Sequence, residues 1–301
     1  MTNKTVNEIK NGSTIGKRKS ISRRQDAWIR MKNNKFAVIG MFVFGAIILM
    51  GIIAPFVVDY EQDVITPQME NRFKSPNVQN WLGTDALGRD MFSRLVYGTR
   101  ISLFVSLSAV VLSVTVGVII GSVAGYFGGN FDLIIMRFID IFASIPSLLL
   151  SITIAAALGQ SIGVMILAIG VAGIPALTRT VRATVLSIRK QDYVLAGTAM
   201  GGNSWQIITF HLLPNCIAPI IVQGTLRISS AILQCSSLSF LGVGVKPPMP
   251  EWGNMLSEGR NFMRQAGYLT IIPGLTIMIT VMAVNLMGDG LRDALDPRMK
   301  R

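Results

Sequence analysis

The chain has 301 residues, 50% of them hydrophobic and only 15% charged, where soluble domains carry about 25% charged residues. With a mean hydropathy of +0.51 it lacks the polar surface to cover a soluble fold of this length, and intrinsic disorder is excluded with it. The two cysteines, Cys216 and Cys235, stand 19 residues apart in an apolar stretch, which leaves neither a metal-binding nor a redox CxxC pair.

The formal charge of +12 has the size of a nucleic-acid signature until its position is read. Residues 1–35 hold ten Lys or Arg against Glu8 and Asp26, a basic tail of net +8. Residues 36–58 follow as 23 positions without a charge. At about 1.5 Å per residue they cross a hydrocarbon core about 30 Å thick. Because 35 largely polar residues precede it, this segment is predicted to be an uncleaved first transmembrane helix and not a secretory signal. An extracytoplasmic loop, 59–100, comes next. Apolar segments at 101–127, 133–158, 161–178, 214–241 and 269–288 then bring the count to about six spans in an all-α polytopic membrane protein.

Loop charge sets the orientation. With the N-terminus inside, the tail, the loop 179–213 and residues 288–301 hold 18 Lys or Arg, against 8 in the outer loops 59–100 and 242–268. The positive-inside rule therefore puts both termini in the cytoplasm, with residues 289–301 as a cytoplasmic tail. The basic N-terminal tail is an orientation signal that also suits anionic membrane lipid, and nucleic-acid binding is not expected.

Several residues stand out along the spans. The segment 82–103 carries Asp85, Arg89, Asp90, Arg94 and Arg100, expected to form structural salt bridges at the surface. The functional alternative is a vestibule that docks a partner together with the stiff loop Pro247–Trp252. Gly117, Gly121 and Gly125, spaced i, i+4 and i+8, predict close packing on one helix face, either within the chain or against a partner. Arg137 and Asp140, three apart, are expected to pair, and Pro146 and Pro175 to kink or hinge their helices. Arg227 sits mid-span in the fifth segment, where a charge must face protein or water, and is a candidate for the translocation path.

Loop 179–213 is the longest inner connection within the 101–288 core. Helix-forming stretches flank Gly201-Gly202, and Pro214 precedes the next span, so two short helices with a sharp turn are predicted. Asp192 suits the first helix's N-terminus, and Asn203 or Ser204 the second's. Such an elbow protrudes from the membrane and suits a partner's groove.

Catalytic signatures are missing. The nearest approach to a phosphate-binding GxxxxGK[ST] loop is GSTIGKR at 12–18, one residue short and ending in Arg. A single histidine, His211, cannot build a multi-histidine metal site, and no nucleophile elbow accompanies it. No catalytic residue, metal or cofactor is expected in this chain.

The spacing Ala196-Gly197, three residues, Gly201, nine residues, His211-x-Leu213-Pro214 resembles the EAA-xxx-G-x(9)-I-x-L-P loop of ABC importer permeases. Leu195 stands at the Glu position, Gly197 at the second Ala and His211 at the Ile, so no carboxylate is present at 195. LGTDALGRDMFSRLVYGTRISL (82–103), DYVLAGTAMG and HLLPN (192–215), SLSFLGVGVKPPMPEWGNML (237–256) and NLMGDGLRDALDPR (285–298) narrow the likeness. They resemble the C-type permease subunit of oligopeptide, dipeptide and nickel importers. Gln234-Cys235 departs from that family's Glu and small residue.

The resemblance implies a type I importer permease fold paired with a homologous B-type permease. Two ATPase subunits would hold ATP and magnesium on the cytoplasmic side, and a binding protein would deliver peptide from outside. It implies that Asp192, Tyr193, Ala196, Gly197, Gly201, Leu213 and Pro214 form the ATPase-coupling elbow; Gln234 joins Arg227 as a candidate for the translocation path. A nickel or metal-chelate importer of the same family is the alternative. A stand-alone secondary transporter would need buried acids or histidines that the spans lack. A membrane sensor or scaffold is a third reading, favoured where no ATPase accompanies the chain.

Overall fold

The computed structural model describes residues 23–295; most of the basic tail and the last six residues of the chain lie outside that range. Within it every regular element is helical, apart from one isolated bridge between Thr84 and Asp90. A short basic helix α1 (Arg23–Asn33) ends at Asn34, whose side chain accepts from the amides of Phe36 and Ala37 and so starts α2 (Lys35–Val57) as a separate helix. α3 (Met91–Phe127) runs 37 residues, ten more than the apolar segment at its heart. Asp90 caps it, accepting from the Ser93 amide at 2.7 Å, and the charged residues 91–100 are taken into its first turns.

The third predicted span is two helices. α4 (Gly129–Ala143) and α5 (Ser147–Leu158) meet at an 81° bend. Pro146 immediately precedes α5; without an amide proton it cannot extend the hydrogen-bond ladder of α4. α6 (Ile162–Ile188) continues as one helix past Pro175 and runs ten residues beyond the apolar segment 161–178. The elbow helix α7 (Asp192–Ala199) leads to α8 (Ser204–Phe240), which includes a π-helical stretch over Ile207–Leu212. α9 (Trp252–Arg260) and α10 (Tyr268–Leu295) complete the bundle. By length and composition α2, α3, α6, α8 and α10 can each cross a membrane, and the bent α4–α5 pair makes six if it is one span.

The glycine stripe on α3 settles where that helix packs. A Cβ on Gly117 would stand 2.8 Å from Leu177 Cβ, on Gly121 2.6 Å from Thr178 O, and on Gly125 2.9 Å from Val185 Cβ. These glycines therefore let the α3 and α6 backbones touch inside this chain, and Ser113 donates to Gly170 O at 2.8 Å along the same seam. They are not a contact surface for another subunit.

The expected Arg137–Asp140 pair is replaced by two longer-range ones. Asp140 pairs with Arg179 at 2.7 Å, and Asp132 grips Arg182 through both oxygens at 2.5 and 2.6 Å. The reason is the extra length of α6, which carries Arg179 and Arg182 out of the supposed loop and lays them along α4. One end of the bundle thus gathers the α3 terminus, the start of α4, the end of α6 and the elbow. The other end gathers residues 58–90, the segment 241–251 and α9.

Candidate coupling elbow and translocation path

The elbow is stiff for local reasons. Met200 N donates to Ala196 O, Gly201 N to Thr198 O and Gly202 N to Gly197 O, at 3.0 to 3.1 Å, closing the C-terminus of α7. Gly201 has φ +86°, a region that L side chains avoid. The next helix opens with a full capping box: Asn203 Oδ1 accepts from Gln206 N at 2.8 Å and Gln206 Oε1 from Asn203 N at 3.1 Å. Asp192 is the first residue of α7, after the cap position held by Gln191, where a carboxylate suits the helix dipole.

The elbow is bolted to the bundle by one apolar cluster. Val194 from α7 and Ile207, Ile208, Leu212 and Cys216 from α8 are buried against Val181 and Val185 of α6. Gly197 allows the close approach, since a Cβ there would stand 3.1 Å from both His211 Nε2 and Ile207 Cδ1. Leu213 is half-buried and Pro214 exposed where α8 passes from its π-helical stretch into regular α-helix. Asp192, Tyr193, Ala196 and Gly201 are exposed. Three further apolar residues, Met200 at 82%, Phe210 at 74% and Trp205 at 64% exposure, join them. Sequence reading missed these three, because a large apolar residue in a helical pattern reads as core.

Arg227 and Gln234 come together. The Arg227 guanidinium donates to Ile169 O and Ser230 Oγ at 3.3 Å and to Gln234 Oε1 at 3.4 Å, all long for a charged donor. Gln234 Nε2 reaches Ser147 Oγ at 3.2 Å, at the α4–α5 bend. Gly173 makes room for the arginine, since a Cβ there would fall 2.7 Å from Arg227 Nε.

At the opposite end the expected surface salt bridges are a buried cluster. Asp85 bonds Arg89 Nε at 2.7 Å and Arg94 Nη1 at 2.5 Å, and both arginines also reach Glu258 of α9, at 2.9 and 2.8 Å. Arg100 is exposed. Glu258 had no signal in the sequence, lying more than 160 residues from its partners. In the loop Pro247–Trp252 the two adjacent prolines are exposed, but Trp252 is buried and donates through Nε1 to Leu95 O at 3.3 Å. Glu251 is wholly buried and caps α9, accepting from Asn254 N at 3.0 Å and Ser102 Oγ at 3.1 Å. Burial pushes its carboxyl above the usual 4.5, and its hydrogen bonds pull the other way.

Among the described residues no group of His, Cys, Asp and Glu is arranged to hold a metal ion.

Five long apolar helices and one sharply bent apolar pair define a helical multi-pass membrane protein. Residues 117–301 match the family model of the binding-protein-dependent transport system inner membrane component, and residues 22–76 match the N-terminal TM domain of oligopeptide transport permease C. The chain is similar to the dipeptide transport system permease protein DppC of Alkalihalophilus pseudofirmus, 42% identical over 281 residues, with 93% of this chain and 92% of the relative covered. DppC of Haemophilus influenzae is 43% identical over 286 residues, covering 92% and 95%. The glutathione transport system permease protein GsiD of Pectobacterium atrosepticum is 40% identical over 283 residues, covering 92% and 91%. The chain belongs to the family of inner membrane components of binding-protein-dependent transport systems, and its role is that of a permease subunit.

Proposed function

We propose that this permease is the C-type subunit of a peptide importer, half of a translocation pathway that a homologous B-type permease completes. Two ATPase subunits dock on the elbow and carry the ATP and magnesium chemistry, and an extracytoplasmic binding protein delivers peptide to the opposite end. The excess of Lys and Arg at the elbow end supports a cytoplasmic location for it and for both termini. Peptide as cargo is supported by the dipeptide and glutathione systems for which the relatives are named.

The observation that carries the reading is the elbow: an exposed apolar face of Tyr193, Met200, Trp205 and Phe210 on a capped turn. In a chain without a phosphate-binding loop, that face suits a groove on a separate ATPase. Closure of the ATPase pair displaces α7, and the buried cluster around Val194, Ile207 and Leu212 hands the motion to α6 and α8. Those two helices carry Arg227 and its ring of oxygens, so the path changes between outward-open and inward-open states as the elbow tilts.

Photo-cross-linking groups placed at Met200 and Trp205, and at Met263 on the opposite end, test this in the purified complex. ATPase captured at Met200 and Trp205 but not at Met263 is the expected result. Equal capture at both ends, or none at the elbow, overturns it.

A further inference from the structure

On α8 the residues Gln223, Arg227, Ser230, Gln234 and Ser237 follow at intervals of four, three, four and three. That spacing puts them on one face of the helix. A polar row of this length, crossing a membrane span, is not compatible with lipid and must border protein or water. Gln223 is exposed, Arg227, Ser230 and Ser237 are half-buried, and Gln234 is buried. The row runs beside the α4–α5 break, where Ser144, Ile145, Pro146 and Ser147 are exposed. Non-helical backbone at membrane depth persists only where it is covered by protein or borders an aqueous cavity.

Within this row Arg227 is a cation without a counter-charge. No ion pair among the described residues includes it. Its Nε is buried with no acceptor, and its other contacts are three neutral oxygens at 3.3 to 3.4 Å. Arg89 and Arg94, by contrast, are held by two carboxylates. An unneutralised guanidinium in a span is costly, and the cost is offset when an anion reaches it.

The geometry points to Arg227 as the transit site for the C-terminal carboxylate of the peptide, with Ser230 and Gln234 as neutral hydrogen-bonding neighbours. This rests on the peptide-importer reading and adds to it the part of the cargo that the membrane path recognises. A peptide whose C-terminus is amidated lacks the charge and gains nothing from the site.

The test uses the full reconstituted complex in proteoliposomes, with tri-alanine and tri-alanine amide each supplied at concentrations that saturate the binding protein. ATP-driven uptake per loaded binding protein is expected to be about tenfold faster for the free acid, the size of a charge-assisted hydrogen bond lost. Arg227→Gln should remove that preference and Arg227→Lys should keep part of it, with subunit stoichiometry unchanged. Equal uptake of acid and amide by the unmodified complex overturns the inference and leaves the importer reading intact, and this arm needs no variant to fold. A preference that survives Arg227→Gln also overturns it. Failure to take up either peptide overturns the importer reading, and the inference falls with it.

Discussion

Gly201→Val tests whether the elbow turn transmits force. No heavy atom lies within 4 Å of a Cβ built on Gly201, so the substitution meets no steric neighbour and acts on the backbone alone. At φ +86° an L residue costs roughly 1–2 kcal/mol, and a β-branched one sits at the upper end or beyond. That biases the turn away from its present shape by about 5- to 30-fold. The hydrogen bonds from Met200, Gly201 and Gly202 that close α7 are the ones put under strain. The buried anchor of Val194, Ile207 and Leu212 is untouched, so the protein should still reach the membrane in normal amount. In proteoliposomes with the partner subunits, Gly201→Val is expected to cut uptake about fivefold or more while ATP hydrolysis continues without stimulation by substrate. Gly201→Asn, which tolerates this backbone region, should remain close to the unmodified protein. Normal substrate-stimulated hydrolysis and uptake in Gly201→Val would refute the reasoning.

Asp85→Asn leaves two buried arginines sharing Glu258 alone; breaking such a cluster costs about 3–5 kcal/mol. The melting temperature in detergent should drop by about 5 °C or more, and an unchanged value would show that the cluster is not holding α9 to residues 85–94. Glu251 gives a pH dependence. Its folded value is raised above 4.5 by burial, so its neutral form is the stabilising one. That contribution is complete below 4.5 and is lost as pH rises through the folded value. Glu251→Gln should flatten the fall in melting temperature between acidic and neutral pH, and a curve parallel to that of the unmodified protein would exclude Glu251 as its source.

The spans were legible because each is a long run without charge, a local property. Their ends were not, because distant partners decide them. α6 continues past residue 178 since Arg179 and Arg182 find Asp140 and Asp132 on α4, about forty to fifty residues earlier. α3 starts at Met91 and not at 101 since Arg94 finds Asp85 and Glu258. The break at Pro146 was readable as an interruption from proline chemistry, and its 81° angle was not. The turn of the elbow was readable from Gly201-Gly202 and Asn203. Its exposed apolar residues were not, since Trp205 and Phe210 differ from core residues only by which side of α8 the cluster around Ile207 and Leu212 takes. Arg227 was visible as an anomaly in a span; that its partners among the described residues are neutral oxygens needed the packing of α6 and α8.

The most direct measurement is peptide accumulation in proteoliposomes holding this chain, its co-purifying permease and ATPase subunits and the binding protein. Uptake that requires ATP and the binding protein, and disappears when this chain is omitted, is the expected result. Uptake that persists without ATP, or that is driven by an ion gradient in this chain alone, would contradict the account.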